Sequence, residues 1–478
     1  MDKDTDVQVK NDIVISNARK KGLRHYLIDV LIVTVMGILL FMGSSAQIFK
    51  DRSDGVRYQC YAIAFLHSAQ DVQAYLPSQC AHIFDSDAKT STNAQIAAAL
   101  HKRGVPDFLV NFVASQDLTQ PFHALPHEYP LLTLIPFLLV VLAPQHWYQV
   151  AFAILMILLA ASMYFMIAHF KSRKAAIVGV ALLVIGGWST AAARFDLVPS
   201  LLTLIAVILG EQKRWTGAFV LLALAFLLKF YPVILLIPFL LAQQMDVRSK
   251  WNVWSRWQPL AAFCGLCVLV MTVSFLLSVE GTIAPLSYFQ TRPIQAESLG
   301  SSLLWLATLV THHPLAFEFT YGSLNVKPVH ILTSLVTYGE EFLEVAGVLF
   351  VAWLQWRRKI ELATATLLIL LLVIVTGKVF SPQYLIWVLP LVAYIGGAER
   401  RWAVSWAVIC GLTTFIYPYI YDMTGIVRVP FIPWFYPTVT VRNFVLSGFV
   451  LALLIYYSYG KKSAKFLYHP EVHDEEKA

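Results

Sequence analysis

Long apolar runs, separated by short polar or basic stretches, recur from one end of the chain to the other. A transmembrane helix needs about 20 mostly apolar residues. The pattern predicts about twelve membrane-spanning helices, several of them short. The predicted spans are 25–48, 146–170, 175–191, 195–210, 215–228, 231–243, 257–279, 332–355, 360–377, 382–397, 402–421 and 439–460.

Basic clusters between the apolar runs set the orientation, because cytoplasmic loops carry an excess of Lys and Arg. With these twelve spans the clusters share one side, which places both termini in the cytoplasm. We expect a cytoplasmic tail at 1–24, a transmembrane domain at 25–460 and a second cytoplasmic tail at 461–478. The first span is expected to remain in the protein and not to be cleaved as a signal peptide. The clusters lie at 19–24, 171–174, 213–214, 248–256, 357–359, 400–401 and 461–465.

The apolar segment 128–144, EYPLLTLIPFLLVVLAP, breaks this parity if it is counted as a span. It is about 17 residues long, and Pro130 and Pro136 interrupt it. Proline removes a helical hydrogen bond. We therefore expect it to lie at, or dip into, the outer leaflet, inside a long external loop at 49–145. A second external loop is expected at 280–331.

Composition agrees with an all-α polytopic membrane protein. The chain has 478 residues, of which 58% are hydrophobic and 14% are charged, against about 25% charged in soluble proteins. The net charge of +7 does not indicate nucleic acid as a partner, because the basic clusters follow the cytoplasmic loops.

Single cations occupy the external helix ends in this topology. Arg194, Lys229, Arg292, Lys378 and Arg442 each lie beside Pro, Tyr, Gln, Asp, Glu or another polar residue. Cations at these positions suit a phosphate group better than a neutral ligand. The alternative is that each of them snorkels to the membrane surface without binding a ligand.

Three stretches, RFDLVPSLL, WTGAFVLLALAFLLKFYPVILLIPFLL and GKVFSPQYLIWVLPL, occur in this order. They resemble the signatures of the GT-C superfamily, in particular the polyprenyl-phosphate-sugar-dependent mannosyltransferases of glycosyltransferase family 87. The resemblance covers residues from about 50 to 400. It implies a GT-C-like bundle of about twelve transmembrane helices with membrane-surface helices in a long first external loop.

The resemblance also implies an inverting transfer of a sugar, with mannose as the best guess, from a polyprenyl-phosphate donor to a lipid or glycan acceptor. Such a transfer needs a carboxylate that takes the acceptor proton and cations that stabilise the leaving phosphate. The family pattern, Asp followed after three residues by Tyr and a small apolar helix, matches Asp54 and Tyr58. Asp54 is therefore the expected general base, and Asp51 is the competing candidate.

Other residues are expected to bind substrate. The expected donor-phosphate contacts are Arg194, which Asp196 would hold in place, Lys229, Arg292 and Lys378. The expected sugar or acceptor contacts are Tyr58, Gln295, Gln383 and Tyr384. Glu297, in RPIQAESLG, resembles a substrate contact of related sequences, whereas Glu128 either orients the acceptor or caps the following helix.

No cofactor is indicated. Some superfamily members need a divalent ion, but Pro126 disrupts a helical pair of His123 and His127, and no HExxH-type pattern is present. Cys60 and Cys80 both belong to the expected external loop, where a disulfide is allowed.

The expected partners are thus a polyprenyl-phosphate sugar, a lipid or glycan acceptor and membrane lipids. We expect a multi-pass protein of the bacterial plasma membrane with its site facing outside. The alternatives are a transporter or flippase of polyprenyl-linked lipids, or a GT-C enzyme that transfers a pentose or another group. A transporter would be expected to show repeat symmetry and polar groups near the bilayer midplane.

Overall fold

The computed structural model describes residues 3–80, 91–247, 250–328 and 330–459, and here helices joined by turns and loops are accompanied by one antiparallel β-hairpin. The hairpin strands are β1 (Phe317–Thr320) and β2 (Ser323–Val326). The α-helices, in chain order, are α1 (Lys3–Ile48), α2 (Asp54–Leu66), α3 (Ala69–Tyr75), α4 (Pro77–Cys80), α5 (Asn93–Lys102), α6 (Asp107–Ala114), α7 (Leu134–Val140), α8 (Tyr148–Phe170), α9 (Arg173–Gly186), α10 (Leu197–Glu211), α11 (Trp215–Leu228), α12 (Leu236–Asp246), α13 (Trp254–Leu277), α14 (Val279–Thr291), α15 (Leu299–Thr311), α16 (His330–Trp356), α17 (Leu362–Thr376), α18 (Tyr384–Gly396), α19 (Arg400–Thr414) and α20 (Phe435–Tyr459).

Each of the twelve predicted spans overlaps one of these helices. Within the described residues, five helical segments are long and apolar enough to cross a membrane by themselves, and shorter apolar helices accompany them. The five are Tyr26–Ile48, Gln145–Phe170, Trp254–Leu277, Arg400–Met423 and Phe435–Tyr459. The chain is an all-α polytopic membrane protein, as its sequence predicts. The predicted C-terminal tail, 461–478, lies outside the described residues.

Several helix boundaries differ from the prediction. Helix α9 ends at Gly186, five residues before the predicted end of its span, and a series of turns leads to α10. Helix α1 begins at Lys3, so the polar N-terminal segment continues the first apolar helix. Glycine destabilises helix interiors relative to alanine, which accounts for the early end of α9 at Gly186 and Gly187.

The segment 128–144 does not form a spanning helix. A 3₁₀ turn at Leu131–Thr133 leads into α7, which has 7 residues. A helix of this length rises about 10 Å, far short of the hydrocarbon thickness of about 30 Å. The short helix agrees with the expectation that this segment does not cross the membrane, which stays a prediction.

The two central helices of the bundle are α17 and α18. Almost every residue of α17 is buried, and so is each residue of α18 after Tyr384. A helix that is buried on every side is surrounded by other parts of the protein. Few residues of α13 and α16 are buried, as expected at the periphery of the bundle. The chain entering α18 therefore lies over the middle of the bundle.

The connections between antiparallel neighbouring helices alternate between the two ends of the bundle. The α9–α10, α11–α12 and α17–α18 connections, which carry Arg194, Lys229 and Lys378, lie at one end, here called the site end. The opposite end receives the basic clusters at 171–174, 213–214, 357–359 and 400–401. Isolated cations and clustered cations are thus separated by the length of the helices.

A disulfide joins Cys60 of α2 to Cys80 of α4, with 5.8 Å between the two Cα atoms. It fixes a short helix of the first loop against α2. Cys60 and Cys80 are both fully buried. The pairing suggested by the sequence is therefore present.

Replacing Cys60 by Ser is expected to destabilise the folded loop by about 2–4 kcal/mol, because the crosslink restricts the unfolded chain. Thermal unfolding in detergent, measured for the Cys60→Ser and Cys264→Ser variants, checks this. Cys264 is an exposed free cysteine, so its variant should unfold at the wild-type temperature. Equal unfolding temperatures of the two variants would contradict the prediction.

Candidate active site

A cavity of about 520 Å³ opens at the site end of the bundle. Nine of the twelve site residues predicted from the sequence line it, namely Asp54, Glu128, Arg194, Lys229, Arg292, Gln295, Glu297, Gln383 and Tyr384. Lining residues that the sequence did not identify include Lys50, Arg52, Arg57, Tyr129, Tyr288, Tyr321, Tyr417 and Tyr421. The fold thus brings stretches from the whole length of the chain to one site.

Asp54 begins α2 at the wall of the cavity. The side chain of Ser53 accepts a hydrogen bond from the backbone N–H of Val56 and so caps the helix. Oδ2 of Asp54 lies 2.8 Å from Nη2 of Arg194, and Oδ1 lies 4.0 Å from Nη1 of Arg57. Burial raises the pKa of Asp54, but the charges of Arg194 and Arg57 outweigh burial and lower that pKa below its usual value. Asp54 is therefore ionised at neutral pH and can accept a proton.

Glu128 binds Arg57 across the first loop. Nη1 of Arg57 donates to both carboxylate oxygens of Glu128, at 2.8 and 2.9 Å. The following 3₁₀ turn has Pro130 at its start and no side-chain cap. The interpretation of Glu128 as a helix cap is therefore wrong. Arg57 lies three residues after Asp54 on the same helix face, a spacing that could have identified it from the sequence.

Asp196 does not hold Arg194. Its Oδ1 accepts hydrogen bonds from Nζ of Lys229 at 2.5 Å and from Nε1 of Trp387 at 2.6 Å. Asp196 is 1% exposed and is not among the residues that line the cavity. The predicted pairing of Asp196 with Arg194 is therefore not found, and Asp196 lies behind the wall, where it neutralises Lys229. Arg194 instead contacts the base candidate Asp54.

Tyr58 lies beneath the cavity wall and does not line it. Its ring stacks on Phe137 at 4.3 Å between centroids and meets Phe195 edge-on at 5.6 Å. It is 1% exposed. The structure does not place Tyr58 among the residues that line the cavity, because its ring packs into an aromatic cluster with Phe137 and Phe195.

The β-hairpin positions Arg292 and Gln295. The segment before α15 pairs with β2, through hydrogen bonds from Val326 N to Ile294 O and from Ala296 N to Leu324 O. Nη2 of Arg292 donates to Oγ of Ser323 at 2.9 Å. Two atoms at this wall, Nε of Arg292 and Oε1 of Gln295, are buried and have no hydrogen-bond partner among the described residues. Each of these atoms is thus a polar group of the wall that the described residues leave unsatisfied.

Glu297 lines the cavity but is also bound from behind by Arg442. Nη1 of Arg442 lies 3.3 Å from Oε2 of Glu297, and Nη2 donates to the backbone oxygen of Glu297 at 2.5 Å. Arg442 is fully buried on α20, with its guanidinium carbon 3.9 Å from the centre of the Phe380 ring. Tyr421 also hydrogen-bonds Glu297. Arg442 was expected at an external helix end, yet it is a buried partner of Glu297.

The α17–α18 connection contributes Gln383 and Tyr384 to the cavity, but not Lys378. Nζ of Lys378 donates to the backbone oxygen of Gln290 at 2.9 Å, and Lys378 is not among the lining residues. The predicted phosphate contact at Lys378 is therefore not supported in this geometry. Tyr384 stacks on Trp387 with 3.9 Å between ring centroids. A rigid aromatic surface of this kind suits the apolar face of a sugar ring.

The cavity wall carries excess positive charge. Its cationic side chains belong to Lys50, Arg52, Arg57, Arg194, Lys229 and Arg292, and its carboxylates belong to Asp54, Glu128 and Glu297. The excess is therefore three positive charges. Since water is partly excluded from such a cavity, this charge favours an anionic ligand.

The carboxylates of the wall are separated by arginines. Asp54 faces Arg194, Glu128 faces Arg57 and Glu297 faces Arg442. Within the described residues, no group of three or more His, Cys, Asp or Glu side chains is placed to hold a metal ion.

His127, next to Glu128 in the first loop, makes the stability of the fold depend on pH. Burial lowers the pKa of His127 from 6.5 to about 4. A histidine whose pKa is lowered by folding stabilises the protein fully above pH 6.5, and this contribution is lost as the pH falls towards 4. The loss of unfolding free energy is on the order of 3 kcal/mol.

We expect the unfolding temperature to fall less between pH 7 and pH 4.5 in His127→Gln than in wild type. The exposed His313→Gln should follow wild type, and identical slopes for all three proteins would contradict this prediction.

No protein-family model and no curated protein matches the chain. Among solved structures, the chain is similar to ArnT from Cupriavidus metallidurans in the apo state, with 14% identity and a TM-score of 0.33. The similarity covers 77% of this chain and 72% of ArnT. A TM-score this low does not allow fold or function to be transferred from ArnT.

Proposed function

We propose that this protein is an integral membrane glycosyltransferase that moves a sugar from a polyprenyl-phosphate donor to a lipid or glycan acceptor. The observation that carries the proposal is the cavity at the site end, where an ionised carboxylate, Asp54, lies among cations that exceed the carboxylates by three. Hydrolytic or transfer chemistry at a phosphate-linked carbon needs both kinds of group.

In the proposed reaction an acceptor hydroxyl oxygen attacks the anomeric carbon of the donor. The bond between that carbon and the phosphate oxygen breaks, the polyprenyl phosphate leaves with the electron pair, and the hydroxyl proton passes to Asp54. One such displacement inverts the anomeric centre. Arg292, whose Nε has no partner among the described residues, and the lining cations Lys50 and Arg52 stabilise the departing phosphate.

Gln383 and Tyr384, in the segment SPQYLIW, also line the cavity. The stacked pair of Tyr384 and Trp387 offers a flat surface to the sugar, and Gln295 offers an unpaired amide oxygen. The resemblance of RFDLVPSLL and GKVFSPQYLIWVLPL to family 87 motifs favours mannose as the sugar.

The proposed site faces the outside of a bacterial plasma membrane. Clustered Lys and Arg residues lie at the end of the bundle opposite the cavity, and such clusters remain in the cytoplasm. The Cys60–Cys80 disulfide, in the first loop at the site end, agrees with an oxidising compartment.

Purified protein in detergent, incubated with radiolabelled polyprenyl-phosphate mannose and a membrane lipid extract, tests the proposal. We expect label to appear in a new lipid or glycan product in wild-type samples only. Parallel reactions with other polyprenyl-phosphate sugars, including a pentose, identify the sugar. If no donor supports transfer and the protein instead moves labelled lipid across the membrane of liposomes, the proposed enzyme activity is wrong and the protein is a transporter.

A further inference from the structure

Two arginines lie on either side of Asp54, but only one of them is bound to it. Arg194 contacts Oδ2 of Asp54 at 2.8 Å, whereas Nη1 of Arg57 stays 4.0 Å from Oδ1. The same Nη1 makes two short bonds to Glu128, at 2.8 and 2.9 Å. Arg57 is therefore shared unequally between two carboxylates, in favour of Glu128.

The tip of the β-hairpin lies against the same guanidinium group. A Cβ atom on Gly322 would lie 3.4 Å from Nη1 and 3.5 Å from Nη2 of Arg57. Gly322 has φ +63°, a conformation that glycine adopts at little cost. Tyr288 holds this tip, since its hydroxyl donates to the backbone oxygen of Tyr321 at 2.5 Å. Arg57 thus binds Glu128 and lies next to the hairpin tip.

We propose that Glu128 is a positioning residue that holds Arg57 away from Asp54, so that Oδ1 of Asp54 stays open to the acceptor hydroxyl. This inference rests on the proposed function. The charged groups that act on Asp54 are Arg194, Arg57, Lys229 and Lys50. Arg57 is the one of these that a second carboxylate on the cavity wall holds directly.

Without the charge of Glu128, Arg57 has Asp54 as its nearest carboxylate partner. A direct ion pair would occupy Oδ1 and lower the proton affinity of Asp54, and a weaker base slows a reaction limited by proton transfer. Removing Arg57 as well would open Oδ1 again. Glu128 therefore affects the rate through Arg57, whereas an acceptor-binding or base role of Glu128 would not depend on Arg57.

The test compares initial transfer rates of wild type, Glu128→Gln, Arg57→Gln and the double variant, over a range of acceptor concentrations. We expect Glu128→Gln to lower kcat about tenfold with little change in the KM for the acceptor. We expect the double variant to recover kcat to about the level of Arg57→Gln. Glu128→Asp, which keeps the charge on a shorter side chain, should lower kcat less, and Arg57→Gln should reverse this loss as well. This variant replaces Glu128→Gln in the test if Glu128→Gln does not fold.

Three results would overturn the inference. A raised acceptor KM at unchanged kcat would make Glu128 an acceptor contact. A double variant as slow as Glu128→Gln would exclude action through Arg57. If Glu128→Gln transfers sugar at the wild-type rate, Glu128 has no role in the rate of transfer. Failure of the proposed function is distinguishable from all three, because wild type itself would then transfer no sugar.

Discussion

Asp54→Asn is expected to lower sugar transfer by about 10²–10⁴-fold, because an amide cannot take the proton of the acceptor hydroxyl. The substitution keeps the size of the side chain and the start of α2, which Ser53 caps. It removes the charge that Arg194 contacts at 2.8 Å. The change in kcat, measured with saturating polyprenyl-phosphate mannose, is the quantity of interest.

Asp51→Asn is the matched control for this experiment. Asp51 lies three residues earlier in the same loop and is exposed, while Asp54 lines the cavity. We expect Asp51→Asn to transfer sugar at the wild-type rate. A large loss in Asp51→Asn with normal activity in Asp54→Asn would move the base to Asp51. Equal and full activity of both variants would leave the reaction without a carboxylate base from this loop.

The arrangement of helices was largely predictable from the sequence, because hydrophobic runs and basic clusters are local signals. Each of the twelve predicted spans overlaps a helix, and the segment 128–144 forms only a 3₁₀ turn and a 7-residue helix. The predicted helix ends were less accurate where glycine ends a helix inside an apolar run, as at Gly186.

The composition of the cavity was predictable in part for the same reason. Arg194, Lys229 and Tyr384 follow or precede apolar helices at connections that the parity of the spans places at one end. What the sequence could not supply was the partner of each charge. Glu128 lies 71 positions from Arg57, and Asp196 lies 33 positions from Lys229.

Charge pairing in this site depends on which helix faces point at each other, and no local pattern encodes that. Arg194 and Asp196 are two residues apart in a turn and so were expected to pair, yet they point to different partners. The β-hairpin at 317–326 alternates apolar and polar residues in two four-residue strands, but the sequence does not show that it pairs with the segment that carries Arg292 and Gln295. Tertiary context determines both features.

Arg442→Met is expected to destabilise the protein by about 3–5 kcal/mol, since it would leave the carboxylate of Glu297 buried without its cationic partner. Arg442 is 0% exposed and Glu297 is 1% exposed. The guanidinium also binds the backbone oxygen of Glu297, and the neighbouring Asn443 donates to the same oxygen at 3.1 Å. Thermal unfolding in detergent, read from the loss of soluble monodisperse protein, measures the effect.

The double variant Arg442→Met with Glu297→Gln separates a structural pair from a substrate contact. Replacing both members of a buried ion pair costs far less than removing one of them, because no unpaired charge remains. We therefore expect the double variant to regain most of the lost stability. If Glu297 also contacts the substrate from the cavity wall, this stable variant will still show a raised KM for donor or acceptor. If Arg442→Met unfolds at the wild-type temperature, the pair does not hold α20 to the segment before α15, and Glu297 would then have to be stabilised at the cavity by other groups.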